Sequence, residues 1–218
     1  MNRRPRLFVT AAVGATAALL LTACGGGDEK PKANDKIAGA DTGSETSASP
    51  EASATKSAGR PKIELPSDLH YNFEWRKTGD KDKDAVLADS EQSIKAVDLA
   101  IANQDALDKA YLFYYEGEAA AETQKFIEAY VKAKARTTGA YRYYDAAVNV
   151  DSSGSASLVY CEDQSKAYDM YLKPKKVDRT AVTKNSYVLY NTQLHKDDRG
   201  VWTIEKLLSQ RGSAKCQP

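Results

Sequence analysis

From residue 63 to 218 the chain carries two hydrophobic periods in succession, and the change between them divides the segment. Leu69-His70-Tyr71-Asn72-Phe73-Glu74-Trp75 alternates large and polar residues and predicts a short strand. Val86, Ser90, Ile94, Val97 and Ile101 then recur at helical spacing, with Asp84 as the predicted N-cap. Asn103-Gln104-Asp105 ends that helix. A second, shorter helix places Leu107, Tyr111 and Tyr114 on one face and stops at Gly117. A third is predicted over 119–135, with Thr123, Phe126, Ile127, Tyr130 and Val131 inward, ending before Gly139. After Gly139 the period falls from about 3.6 to about 2. Residues 141–150 predict a strand, Asp151-Ser152-Ser153-Gly154 a turn, and 157–161 the hairpin partner. The stretch 162–185 is less regular, with a short ribbon at 168–172 and Pro174 in its turn. Residues 187–196 predict a long strand, which Asp197-Asp198-Arg199-Gly200 turns into another over 201–209. Helices followed by consecutive antiparallel strands make an α+β domain.

Upstream the pattern is different. Between Gly25 and Lys62 the only large apolar residue is Ile37; the rest is Gly, Ala, Ser, Thr, Pro and charged residues without periodicity. Such a stretch cannot bury enough surface to offset its ordering entropy, so it is expected to be a disordered linker. As a flexible coil it spans roughly 35 Å. Before it, a positive start (Met-Asn-Arg-Arg-Pro-Arg) leads into an apolar, small-residue run from Leu7 to Leu21. That run has the length of a signal-peptide core and falls short of the roughly 20 apolar residues that span a bilayer. Arg3-Arg4 fits simple n-region charge better than twin-arginine export, because Pro5 follows directly.

Leu21-Thr22-Ala23-Cys24 resembles the lipobox of bacterial lipoproteins. The resemblance implies a diacylglyceryl group on the Cys24 sulfur and cleavage just before it. The chain therefore divides into a lipoprotein signal peptide (1–23), a lipidated cysteine with its linker (24–62) and one domain (63–218). The expected address is the extracytoplasmic face of the cell membrane, with the membrane itself as a partner through the anchor. The resemblance implies palmitate as an acyl chain of that anchor.

Composition narrows the rest. Loss of Arg3, Arg4 and Arg6 takes the charge count from 31 basic against 30 acidic to 28 against 30, so nothing attracts nucleic acid. With Cys24 lipidated, Cys161 and Cys216 remain. In an oxidising compartment they are expected to form a disulfide, closing a loop of 55 residues and limiting the unfolded chain by about 4 kcal/mol. Two free thiols or a metal pair are the alternatives. A metal is not expected, since His70 and His195 show no ligand spacing, and no cofactor motif is present.

The order of elements, the string Gly200-Val201-Trp202-Thr203-Ile204 with Ser209-Gln210-Arg211-Gly212, and the pair Cys161 and Cys216 resemble small actinobacterial lipoproteins without assigned activity. Their domain is of the nuclear transport factor 2-like type, a cystatin-like cone. The resemblance covers roughly residues 80–216. It implies N-terminal helices packed on a curved antiparallel sheet. Members of that superfamily include enzymes, assembly domains and carriers, so fold alone does not choose a function.

Tyrosines supply the candidate site. Tyr141, Tyr143 and Asp145 share one face of the first long strand, and Tyr187, Leu189, Asn191, Gln193 and His195 share one face of a later strand. If both faces look into the cone, a pocket lined by Tyr111, Tyr114, Tyr141, Tyr143, Asp145 and His195 follows. Its enzyme reading, isomerase- or dehydratase-like, uses Asp145 or His195 as base and a Tyr hydroxyl to stabilise an oxyanion. No motif supports that assignment, so no residue is designated catalytic. The preferred reading is a non-catalytic domain that binds a small apolar ligand or an envelope protein, or that forms a homodimer.

Overall fold

The computed structural model describes residues 59–218. The expected signal peptide, Cys24 and most of the expected linker lie outside the described residues. The last residues of that expected linker, from Gly59, are described, and Arg60 pairs with Asp89.

Three helices lie against a six-stranded sheet. The first strand, β1 (Leu69–Phe73), is followed by α1 (Lys81–Asn103), α2 (Lys109–Tyr114) and α3 (Gly117–Ala133). The remaining strands are β2 (Ala135–Val150), β3 (Ser155–Leu172), β4 (Lys175–Asp178), β5 (Tyr187–Lys196) and β6 (Trp202–Arg211). Spatial order is β1-β2-β3-β5-β6, with β4 paired to the far half of β3. The β2 to β6 pairs are antiparallel, while β1 runs parallel to β2 because three helices intervene before the chain returns. The domain is α+β, as the order of periods predicts, and the sheet is mixed. No helix among the described residues is long and apolar enough to cross a membrane.

The helix ends differ from the sequence reading. Asp80 is the N-cap of α1, accepting from the N–H groups of Asp82 and Lys83. Asp84 lies one turn in and accepts from Thr78, both N–H and hydroxyl. Gln104 closes α1 in the left-handed region, where the Asn103-Gln104-Asp105 breaker lies. Leu107 stands outside α2 and is 58% exposed, whereas Tyr111 and Tyr114 are buried. Gly117 opens α3 rather than stopping α2, and α3 ends at the left-handed Lys134, so β2 begins four residues before Gly139.

Gly139 sits inside that strand at φ +94°, and a Cβ there would overlap the carbonyl oxygen of Lys166 on β3. The glycine reads as a period boundary in sequence, but its physical role is close approach of two backbones. The irregular 162–185 stretch resolves as the continuation of β3 and a hairpin through a cis Lys173–Pro174 bond into β4.

The core lies between the helices and one sheet face. Val86, Ala96, Ala100 and Ile101 of α1, with Ile127 of α3, meet Leu158, Leu194, Trp202 and Ile204. Small residues at 93, 96 and 100 let α1 approach the sheet closely. Register shifts at Ala140/Arg142, Tyr144/Ala147 and Gln193/Leu194 bend the long strands. The Cys161–Cys216 disulfide is formed, with Cα atoms 5.4 Å apart, and ties the C-terminal turn to β3.

Candidate functional site

The parallel pairing of β1 with β2 sets Tyr71 opposite Tyr141 and Phe73 opposite Tyr143. Their rings stack, with centroids 5.9 Å apart for the first pair and 4.7 Å for the second. Trp75 continues the array at an angle to Tyr160, 5.3 Å away, and Tyr160 stacks on Tyr190 at 5.0 Å. Four strands or strand ends thus contribute to one aromatic layer under α1. Each such pair adds about 0.5–1.5 kcal/mol beyond area burial.

Two carboxylates are buried in this layer. Asp98, on the sheet side of α1, accepts from the Tyr71 hydroxyl at 2.5 Å and the Thr137 hydroxyl at 2.7 Å, one on each oxygen. Glu162, two residues beyond Tyr160 on the inner face of β3, accepts from Tyr143 on Oε1 at 2.9 Å. Its Oε2 accepts from Tyr190 at 3.0 Å and from the Gln164 amide. Burial raises both carboxyls above their ordinary values, and the hydroxyl donors pull the other way. Burial, with the neighbouring carboxylates, pushes Tyr71, Tyr143 and Tyr190 far up, so these phenols keep their protons and act as donors.

The six residues singled out from sequence do not converge. Tyr141 and Tyr143 lie in the aromatic layer. Tyr111 and Tyr114 belong to the helical layer: Tyr111 donates to the carbonyl of Ala120, and the buried Tyr114 hydroxyl has no hydrogen-bond partner. Burial and the nearby Asp89 charge push Tyr114 up to about 12. Asp145 is exposed, at φ +51° in the bulge between Tyr144 and Ala147. That bulge moves the inward set of β2 from Tyr141 and Tyr143 to Ala146, Val148 and Val150, leaving Asp145 outside.

His195 is likewise on the outward face. β5 turns Val188, Tyr190, Thr192 and Leu194 inward, opposite to the face expected from sequence. The His195 Nδ1 atom lies 3.3 Å from a carboxylate oxygen of Glu116 and 3.3 Å from one of Glu205. Those three residues are the group among the described residues whose donor atoms lie close enough together to hold a metal ion.

Sequence reasoning missed Asp98, Glu162 and Tyr71. The signals were present. Asp98 falls four residues after Ile94 and three before Ile101, inside the apolar stripe of α1. Glu162 continues the alternation Leu158, Tyr160 along β3. A shallow cleft of about 330 Å³ lies elsewhere, lined by Gln104, Val131, Lys134, Leu172 and Lys173.

No protein-family model and no curated protein matches the sequence. Among solved structures, the chain is similar to the intermembrane space region of the chloroplast protein ARC6. That match has 10% identity and a TM-score of 0.41, covering 61% of this chain and 98% of the other. It is similar to a ketosteroid isomerase-like protein from Erwinia carotovora atroseptica, at 12% identity and TM-score 0.40, covering 62% and 98%. A cystatin-like domain of unknown function from Nostoc punctiforme matches at 17% identity and TM-score 0.38, covering 62% and 79%.

Proposed function

We propose that this chain is a lipoprotein held through Cys24 on the extracytoplasmic face of the cell membrane. Its α+β domain, in this reading, binds a small ligand or an envelope protein and carries out no catalysis. The observation that carries the reading is the Cys161–Cys216 bond. Such bonds persist in oxidising compartments and are rare in the cytosol. The bond also uses two of the three cysteines, leaving Cys24 behind Leu21-Thr22-Ala23 as the third. Two acyl chains on that sulfur hold a protein stably where one chain is marginal.

The chemistry of the interior supports binding over turnover. A general base has to reach a substrate proton. Asp98 and Glu162 are buried and already accept two and three protein hydrogen bonds respectively. Asp145, the carboxylate with the best sequence argument, points away from the aromatic layer. Native mass spectrometry of the full chain, extracted from membranes in mild detergent, tests the binding half. A co-purified mass or a doubled chain mass is expected; a bare monomer throughout overturns it.

A further inference from the structure

We propose that Glu116, His195 and Glu205 form a binding site for a divalent first-row transition ion of the Zn²⁺ type, at the β6 edge of the sheet. The site is separate from the aromatic layer and stands independently of the reading above.

Three elements converge there, each for its own backbone reason. His195 pairs with Thr203 across the β5–β6 ladder. Gln193 faces Lys206 while Leu194 faces Ile204, so Glu205 is the extra residue of a bulge and leaves the strand's alternation. Glu116 is fixed against the same strand: its N–H donates to the carbonyl of Ile204 at 3.0 Å, and Tyr115 bridges Ile204. Gly117, at φ +54°, turns the chain away at once into α3. Glu116 occupies the N-cap position of that helix, yet its carboxylate caps no helix N–H.

The distances match the ligand spacing of a bound metal ion. A tetrahedral ion with bonds of about 2.0–2.1 Å holds its ligands about 3.3–3.4 Å apart. The Nδ1 atom of His195 is 3.3 Å from each glutamate oxygen, and all three donor atoms lie within 4.8 Å of one another. Nδ1 itself is buried and makes no hydrogen bond, so neither flanking carboxylate accepts from it. Among the described residues no Lys or Arg pairs with Glu116 or Glu205. Two carboxylates therefore share one place with the His195 imidazole between them and no Lys or Arg.

One imidazole and two carboxylates make a borderline donor set. It suits Zn²⁺ and its first-row neighbours, whereas Ca²⁺ and Mg²⁺ take oxygen ligands. Both glutamate side chains are 48% exposed, which leaves further coordination positions open to water.

Co²⁺ titration of the full chain in detergent, with its disulfide intact, reads the site through visible d–d absorption and through displacement by Zn²⁺. The expected result is one Co²⁺ per chain. In His195→Ala, affinity falls by roughly a hundredfold or more, and in Glu116→Gln/Glu205→Gln by at least roughly tenfold. His70→Ala, which removes the chain's other histidine, leaves the titration unchanged. The double glutamine variant keeps side-chain shape, so it decides the matter even if His195→Ala fails to fold. Unchanged Co²⁺ binding in either site variant, or none by the wild-type chain at roughly millimolar metal, overturns the proposal.

Discussion

Arg60 and Asp89 meet in a two-pronged ion pair, Nε to Oδ1 at 2.8 Å and the terminal nitrogen to Oδ2 at 2.9 Å. Asp89 is nearly fully buried on α1 and also accepts the backbone N–H of Trp202 at 3.0 Å. One carboxylate thus joins the chain at Arg60, the first helix and the edge strand. Removing one partner of a buried pair leaves an uncompensated charge and costs about 3–5 kcal/mol. Arg60→Ala, which leaves the buried Asp89 carboxylate uncompensated, is expected to fall in that range by urea unfolding. Asp89→Ala is expected near its lower end, because the Arg60 side chain it leaves behind is 32% exposed and can reach water. A change under about 0.5 kcal/mol for both would show that the pair fixes nothing.

The two carboxylates of the aromatic layer set the second expectation. Asp98 and Glu162 titrate higher in the fold than in the unfolded chain, so the folded state keeps protons that the unfolded state releases. Their favourable contribution is full below about pH 4 and is lost as pH rises through the raised values. Asp68 and Asp197 are held low by their arginine neighbours and hydrogen bonds and act oppositely, losing their contribution as pH falls. The double variant Asp98→Asn/Glu162→Gln isolates the first effect. Its unfolding free energy, compared with wild type between pH 4 and 8, is expected to gain as pH rises. A difference independent of pH would contradict the burial of these groups as acids.

The disulfide is expected to matter for stability as well as address. Cys161→Ala/Cys216→Ala should lose about 2–5 kcal/mol in chemical unfolding. It should also free the C-terminal turn, whose Cys216 carbonyl accepts from the Tyr144 hydroxyl. Limited proteolysis checks this: cleavage after Lys215 should accelerate in the variant and not in wild type.

Much of the architecture is legible in the chain because hydrophobic period reports burial directly. The strands at Tyr187–Lys196 and Trp202–Arg211 and the breaker at Gln104 follow from it. What period does not report is phase across a bulge. One extra residue at Asp145 reverses which side chains of β2 face inward, and the pattern of Tyr141, Tyr143 and Asp145 carries no mark of it. Tyr187 and His195 of β5 point to the outward face, whereas the buried Val188 and Leu194 set the inward one. Asp98 and Glu162 are hard to place from sequence, because an isolated acid reads as solvent-facing. Donors brought by tertiary pairing, the phenols of Tyr71, Tyr143 and Tyr190 and the Thr137 hydroxyl, make their burial tolerable.

The most direct test of the central claim is the mass of the mature chain from a native membrane, with a Cys24→Ala comparison. The account predicts a wild-type N-terminus at Cys24 carrying a diacylglyceryl group, and fractionation with membranes. It predicts that Cys24→Ala carries no lipid and leaves the membrane fraction. An unmodified Cys24 in the wild-type protein, or a Cys24→Ala chain that remains membrane-bound, would contradict it.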